Sequence, residues 1–137
     1  MVVAWIEPKT NWTESDYFNP SDYNRIIGNI KHLQSMAKEF YKNISSAQLG
    51  EEKTYQSLIY AREMNDIENA IESINNQTYG LNIGEKKEYF PNKSTPLWSE
   101  FNRIENAIFT IYKTINAQKD AITRLAFTLG GQKGFKV

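Results

Sequence analysis

The chain has 137 residues, 40% hydrophobic and 13% aromatic, with 16 basic residues against 16 acidic ones and no cysteine. That length and apolar content suit one packed domain and exclude disorder throughout, while the zero net charge excludes a global field drawing the chain to nucleic acid or an anionic membrane. Without cysteine there are no disulfides, thiolate nucleophiles or cysteine zinc sites, and without net charge there is little defence against self-association, which favours a chain that sits in an assembly.

The chain opens on Val2-Val3-Ala4-Trp5-Ile6, stopped by Pro8, which reads as a short strand or extended arm. The stretch Met1–Pro8 is too short and too soon acidic for a secretory signal. No apolar run approaches the roughly 20 residues of a membrane helix. Residues 10–20 have turn formers and the aromatics Trp12, Tyr17 and Phe18 but no period, as expected of an ordered loop with buried anchors. Asn19 or Ser21 can cap a following helix and Pro20 fits its first turn.

The first helix is expected from about Ser21 to about Asn43. Tyr23, Ile26, Ile30, Leu33, Ala37, Phe40 and Ile44 step by three and four, a heptad seam. Gly28 lies off this seam and suits a close approach by another segment; His32 also lies off it, beside Lys31, and is expected in solvent. Residues 45–57 are polar and read as a linker. A second seam, Met64, Ile67, Ile71 and Ile74, predicts a helix from about Ala61, with Gly80 placed to end its last turn. Pro91 and Pro96 exclude a long helix between 81 and 97. A third seam, Phe101, Ile104, Ile108, Ile111 and Ile115, predicts a helix from Leu97 or Trp98 that fades near Asp120. The end of the chain alternates large with small side chains and turns at Gly130-Gly131, which suggests a hairpin or an extended tail.

One helical phrase recurs: Asp22-Tyr-Asn-Arg-Ile, Glu63-Met-Asn-Asp-Ile and Glu100-Phe-Asn-Arg-Ile, the shared asparagines 41 and 37 residues apart. A repeat at this period marks one supersecondary unit used several times. The expected fold is therefore mainly α: one domain, residues 1–137, a bundle of three repeated helices (about 10–44, 53–80 and 87–118) with aromatic lead-in loops, and extended arms at 1–10 and 121–137. The motif residues are Asn24, Arg25, Ile26, Asn65, Ile67, Asn102, Arg103 and Ile104. Asparagine competes with the backbone inside a helix, so each is expected to tie down the loop before its own helix. Arg25 and Arg103 read as surface ion pairs within their helices. The recurrent Glu68 and Glu105 look like acid–base partners, but repetition of a fold unit explains them better.

No pattern of catalytic, cofactor-binding or metal-ligating residues emerges: His32 is the single histidine and Gly130-Gly-Gln-Lys-Gly134 lacks the spacing of a phosphate loop. No enzymatic role and no cofactor are expected. The segment Thr10-Asn-Trp-Thr-Glu-Ser-Asp-Tyr-Phe-Asn-Pro-Ser-Asp-Tyr-Asn-Arg-Ile26 resembles an opening phrase of tail-associated structural proteins of phages and prophages of Gram-positive bacteria. Pro96-Leu-Trp-Ser-Glu-Phe-Asn-Arg-Ile-Glu-Asn106 and Arg124-Leu-Ala-Phe-Thr-Leu-Gly-Gly131 look like the rest of that family, so the resemblance covers most of the chain. The second copy departs from it, with Asp66 in place of Arg. The resemblance implies a virion component of the tail tip, baseplate or fibre attachment, assembled in the bacterial cytoplasm. Its partners would be other tail proteins and further copies of itself, with no nucleic acid and no membrane. Candidate assembly contacts are Val2, Val3, Trp5, Leu125, Phe127, Leu129 and Phe135, unless the two ends pair in one small sheet. The alternative is a module binding host-surface carbohydrate through Trp12, Trp98 and Tyr89.

Overall fold

The computed structural model describes residues 4–41, 43–46, 48–54, 58–93 and 96–131. It is mainly helical, with three helices and no strand among the described residues: α1 Pro20–Lys38, α2 Ala61–Gln77 and α3 Trp98–Gly131. The three seams face one another. Ile26, Ile30, Leu33, Ile67, Ile74, Ile104, Ile108, Ile111 and Ile115 are almost wholly excluded from solvent, each contributing about 1.5–3 kcal/mol relative to exposure. The seams are thus spent on an intramolecular core. Isoleucine at both seam positions favours packing in threes or more over pairs.

All three helices run in the same direction. Near their starts Arg25 meets Glu105 and Arg103 meets Glu68; near their ends Tyr79, just past α2, meets Gln118, and Glu39 meets Lys119. Parallel helices joined in one chain need return segments the length of the bundle, and the residues between helices supply them as extended chain. Residues 5–12 run back between α1 and α3, residues 45–46 and 48–53 between α1 and α2, and 79–89 between α2 and α3. Parallel packing also brings three positive helix ends together, and each phrase begins with the acid that offsets this: Asp22, Glu63 and Glu100 lie in the first turns. Asp22 and Glu63 each accept the N–H of the residue just before their helix, Asn19 at 2.9 Å and Tyr60 at 3.0 Å.

Several expectations are corrected. α1 ends at Lys38 rather than near Asn43; Ile44 is still buried, but from the return segment. α3 does not fade at Asp120: residues 121–131, expected as an extended arm, continue the helix, because Ile122, Leu125 and Leu129 keep the three–four spacing from Ile115 through Gln118. Residues 4–10 pack along the bundle instead of reaching away, and no sheet joins them to the other end among the described residues. His32 is half-buried, its ring 5.8 Å from Trp5 and 5.9 Å from Tyr112. Tyr17, expected as an anchor, is 83% exposed. Gly80 does take a left-handed conformation after α2, with φ 60°.

Candidate functional site

An extended segment lying on a helix faces a shortage of partners, because the helix has already used its own backbone groups. A carboxamide solves this, since it carries the same donor and acceptor as a peptide group. Asn24 Oδ1 accepts the Lys53 N–H at 2.6 Å while its Nδ2 donates to the Lys53 carbonyl at 2.8 Å. Asn65 holds Tyr89 in the same way, at 2.8 Å both times. Asn102 holds Trp12, at 2.8 and 3.0 Å. Asn29 clasps Ile6 and Asn75 clasps Leu81 by the same pair of bonds.

The three motif asparagines do not hold the loops before their own helices, as the sequence suggested. α1 holds the loop leading to α2, α2 the loop leading to α3, and α3 the loop leading to α1. A helix's own lead-in loop departs from its tip, whereas the return segment of the next helix passes along its side, one turn in, where the asparagine stands.

Each arginine makes the expected ion pair within its own helix, Arg25 with Asp22 and Arg103 with Glu100, but both are largely buried and also bridge to another helix. Arg25 donates through Nε to Glu105 Oε1 at 2.7 Å and through Nη2 to Oε2 at 2.8 Å, and also reaches Asp22 at 2.8 Å. Glu105 is fully buried; each of its oxygens accepts a second bond, Oε1 from the Lys9 N–H at 3.0 Å and Oε2 from Trp12 Nε1 at 2.5 Å. Arg103 repeats the arrangement on Glu68 and Glu100, and Tyr89 donates its hydroxyl to Glu68 at 2.7 Å. Burial works against both guanidinium charges, but the carboxylates outweigh it and raise both pKa values above the ordinary arginine range. Burial, reinforced by Glu68, raises the Tyr89 phenol and keeps it neutral.

The departures in the other copies complement each other. By this rule the third junction would pair position 66 with position 27. Position 66 carries aspartate instead of arginine, and position 27 isoleucine instead of glutamate, buried. Lys53 takes over there: its ammonium lies 2.6 Å from Glu63, which also accepts the Tyr23 hydroxyl at 3.4 Å. Burial would raise the Glu63 carboxyl, but Lys53, the Tyr60 N–H and Tyr23 outweigh it and lower it. Burial and Glu63 push Tyr23 up to about 12. Gly50 is packed against this group so closely that a Cβ would overlap the Tyr23 hydroxyl and lie 2.6 Å from Glu63 Oε2.

Trp12 and Tyr89 are therefore core residues, and Trp98 alone of the three carbohydrate candidates is open, at 44% exposure. It belongs to a second feature. At the helix starts the three lead-in loops surround an open cup of about 1230 Å³. Tyr17, Leu58, Tyr60, Phe90, Leu97 and Trp98 line it with substantially exposed side chains, and Glu14, Asp16, Arg62 and Asn92 add polar groups. Of the assembly candidates, Trp5 stacks on Tyr112 within the chain with ring centres 3.7 Å apart, and Leu125 is exposed. Val2, Val3 and Phe135, and the side chains of Phe127 and Leu129, lie outside the described residues.

Sequence reasoning missed Lys53 and Gly50, and the pairings of Glu63, Glu68 and Glu105; of these only the recurrence of the acids left a signal. Among the described residues no cluster of three or more acidic or histidine side chains could hold a metal, and no helix is long and apolar enough to cross a membrane. No family model matches the chain, and neither a curated protein nor a solved structure matches it.

Proposed function

We propose that the chain is a threefold internal repeat closed into a ring, and that it serves as a non-enzymatic structural subunit of a phage tail or phage-derived particle. In this reading it is a baseplate or fibre-attachment connector, residing in the virion. The observation that carries it joins sequence to geometry. The residues of the opening phrase that resembles tail proteins include those that close the ring: Trp12, clasped by Asn102 and bonded to Glu105, and Asp22, Asn24 and Arg25. A chain sharing the phrase would share the ring. The motif's polar groups are spent on holding the chain together, while large apolar side chains gather in the open at the cup. That is the distribution of a subunit that works by being docked.

Particles purified after prophage induction, digested and read by mass spectrometry, test the proposal. Peptides of this chain should co-purify with tail proteins, and deletion of its gene should give particles lacking their distal tail structures. Particles free of the chain, and unchanged by its deletion, would overturn it.

The exposure of Trp98, Tyr60 and Phe90 beside Glu14, Asp16 and Asn92 favours one second reading, a cup that stacks on host-surface sugars. Cell-wall glycans should then quench tryptophan fluorescence in the native chain and not in Trp98→Ala; equal traces would dismiss it.

A further inference from the structure

The three junctions of the ring follow one plan but do not carry the same bonds. Between α3 and α1, the paired bonds of Arg25 on Glu105 form a fork from helix to helix. Asn102 and Asn29 clasp the return segment there, at Trp12 and at Ile6. Between α2 and α3, Arg103 makes the fork on Glu68, and Asn65 and Asn75 clasp the return segment at Tyr89 and at Leu81. Each of these junctions has a fork and two clasps.

The junction between α1 and α2 lacks the fork and the second clasp. Ile27 and Asp66 stand where the fork would be, and Ile27 holds by burial, which is non-directional. Lys53 binds Glu63 from the return segment, so it ties that segment to α2 rather than α1 to α2. The hydrogen bond that crosses directly from α1 to α2 runs from the Tyr23 hydroxyl to Glu63 at 3.4 Å, beyond the roughly 3.0 Å usual between oxygens. Asn24 supplies one clasp, on Lys53. Asn75, ten residues after Asn65, marks the place of the second, and ten residues after Asn24 stands Gln34. Gln34 is 8% exposed, and its Nε2 finds no hydrogen-bond partner among the described residues. A buried donor without an acceptor destabilises the closed arrangement, and water satisfies it once the junction opens. The ties at the far end, Ser45 with Gln77 and Lys38 with Ser46, are exposed and compete with water.

We propose that the α1–α2 junction is the joint at which the ring opens, while the other two stay closed. The helices then remain linked in a row, α1 to α3 to α2. The lead-in loops of α1 and α2 carry Tyr17 and Phe18, and Leu58, Ile59 and Tyr60, into the wall of the cup, and they part at the same joint. The cup therefore widens for an occupant without the bundle coming apart. The joint rests on the closed ring proposed above and not on the tail role.

Native-state hydrogen exchange of the full chain, followed amide by amide by NMR, tests this. The amides of Lys53, Tyr89 and Trp12 sit in equivalent clasps, one per junction, so each reports the opening of its own. Corrected for intrinsic rates, Lys53 should exchange about tenfold faster than the other two, or more. Gln34→Leu keeps the bulk of the side chain and removes the orphan donor. It should slow exchange at Lys53 several-fold and leave Tyr89 and Trp12 unchanged, whereas loss of a purely structural glutamine would speed it. Lys53 protected as well as either of the other two overturns the joint and leaves the ring standing. Three unprotected amides overturn ring and joint together. Fast exchange at Lys53 that Gln34→Leu does not slow overturns the joint in favour of local fraying of residues 48–53.

Discussion

Arg25→Met is the most informative single substitution. It retains the length and apolar stem of the side chain and removes only the charge and its donors. Glu105 is left fully buried with the Lys9 N–H and Trp12 Nε1 as its remaining donors. Breaking a buried pair from one side costs about 3–5 kcal/mol, because a charge stays behind without its partner. With an unfolding entropy of about 2.1 cal/mol/K per residue over 137 residues, 1 kcal/mol shifts the melting temperature by about 3.5 °C. The expected loss is therefore about 10–17 °C, read by thermal unfolding followed by circular dichroism. The third junction offers the control, since isoleucine and aspartate stand there in place of the pair. The double variant Arg25→Met/Glu105→Leu removes both charges and should recover part of the loss, although Trp12 Nε1 and the Lys9 N–H then lack an acceptor at about 1–3 kcal/mol each. A fall of less than 3 °C for Arg25→Met alone would refute the claim that this pair closes the ring.

Asn102→Ala strips both clasp bonds from Trp12 and should cost about 1–3 kcal/mol, with a red-shifted tryptophan emission as Trp12 loosens; an unchanged denaturant midpoint would contradict this. Gly50→Ala must displace Tyr23 or Glu63 and should destabilise by about 1–3 kcal/mol, measured by urea unfolding. Tyr23 ionises near 10 when unfolded but is pushed up to about 12 when folded. Its contribution is thus complete below about pH 10 and lost as pH rises toward 12, and Tyr23→Phe should keep more of its neutral-pH urea midpoint at pH 11 than the native chain does. Glu63 is held low, so its contribution is present above its unfolded pKa and lost as pH falls through the folded one; Glu63→Gln should flatten the acid limb of the same profile.

The seams were legible because a three–four period is a local property that survives any tertiary arrangement. The helix starts were equally plain, since a first-turn acid, an asparagine and an isoleucine follow one another within a few residues. The asparagines announced that they had work to do, yet not on which loop, because the answer depends on the helices being parallel, and a seam has no arrow. Arg25 and Glu105 lie 80 residues apart, and nothing in the neighbourhood of either points to the other. The tail of α3 misled for a different reason: Leu125-Ala-Phe-Thr-Leu129 alternates like a strand over five residues, and only the longer window from Ile115 reveals the helical spacing.

The clasps also impose an order of events. Lys53 lies 29 residues from Asn24 and Tyr89 lies 24 from Asn65, but Trp12 lies 90 from Asn102 and Lys9 lies 96 from Glu105. Two junctions can form while the chain is still emerging from the ribosome. The loop of residues 9–12 must wait for α3, and until Glu105 has cleared the exit tunnel Arg25 lacks its partner on that helix and the indole of Trp12 lacks its acceptor. The junction between α1 and α3 is therefore the last of the three to close, and a chain truncated before Asn102 would lose the anchor of residues 9–12 as well.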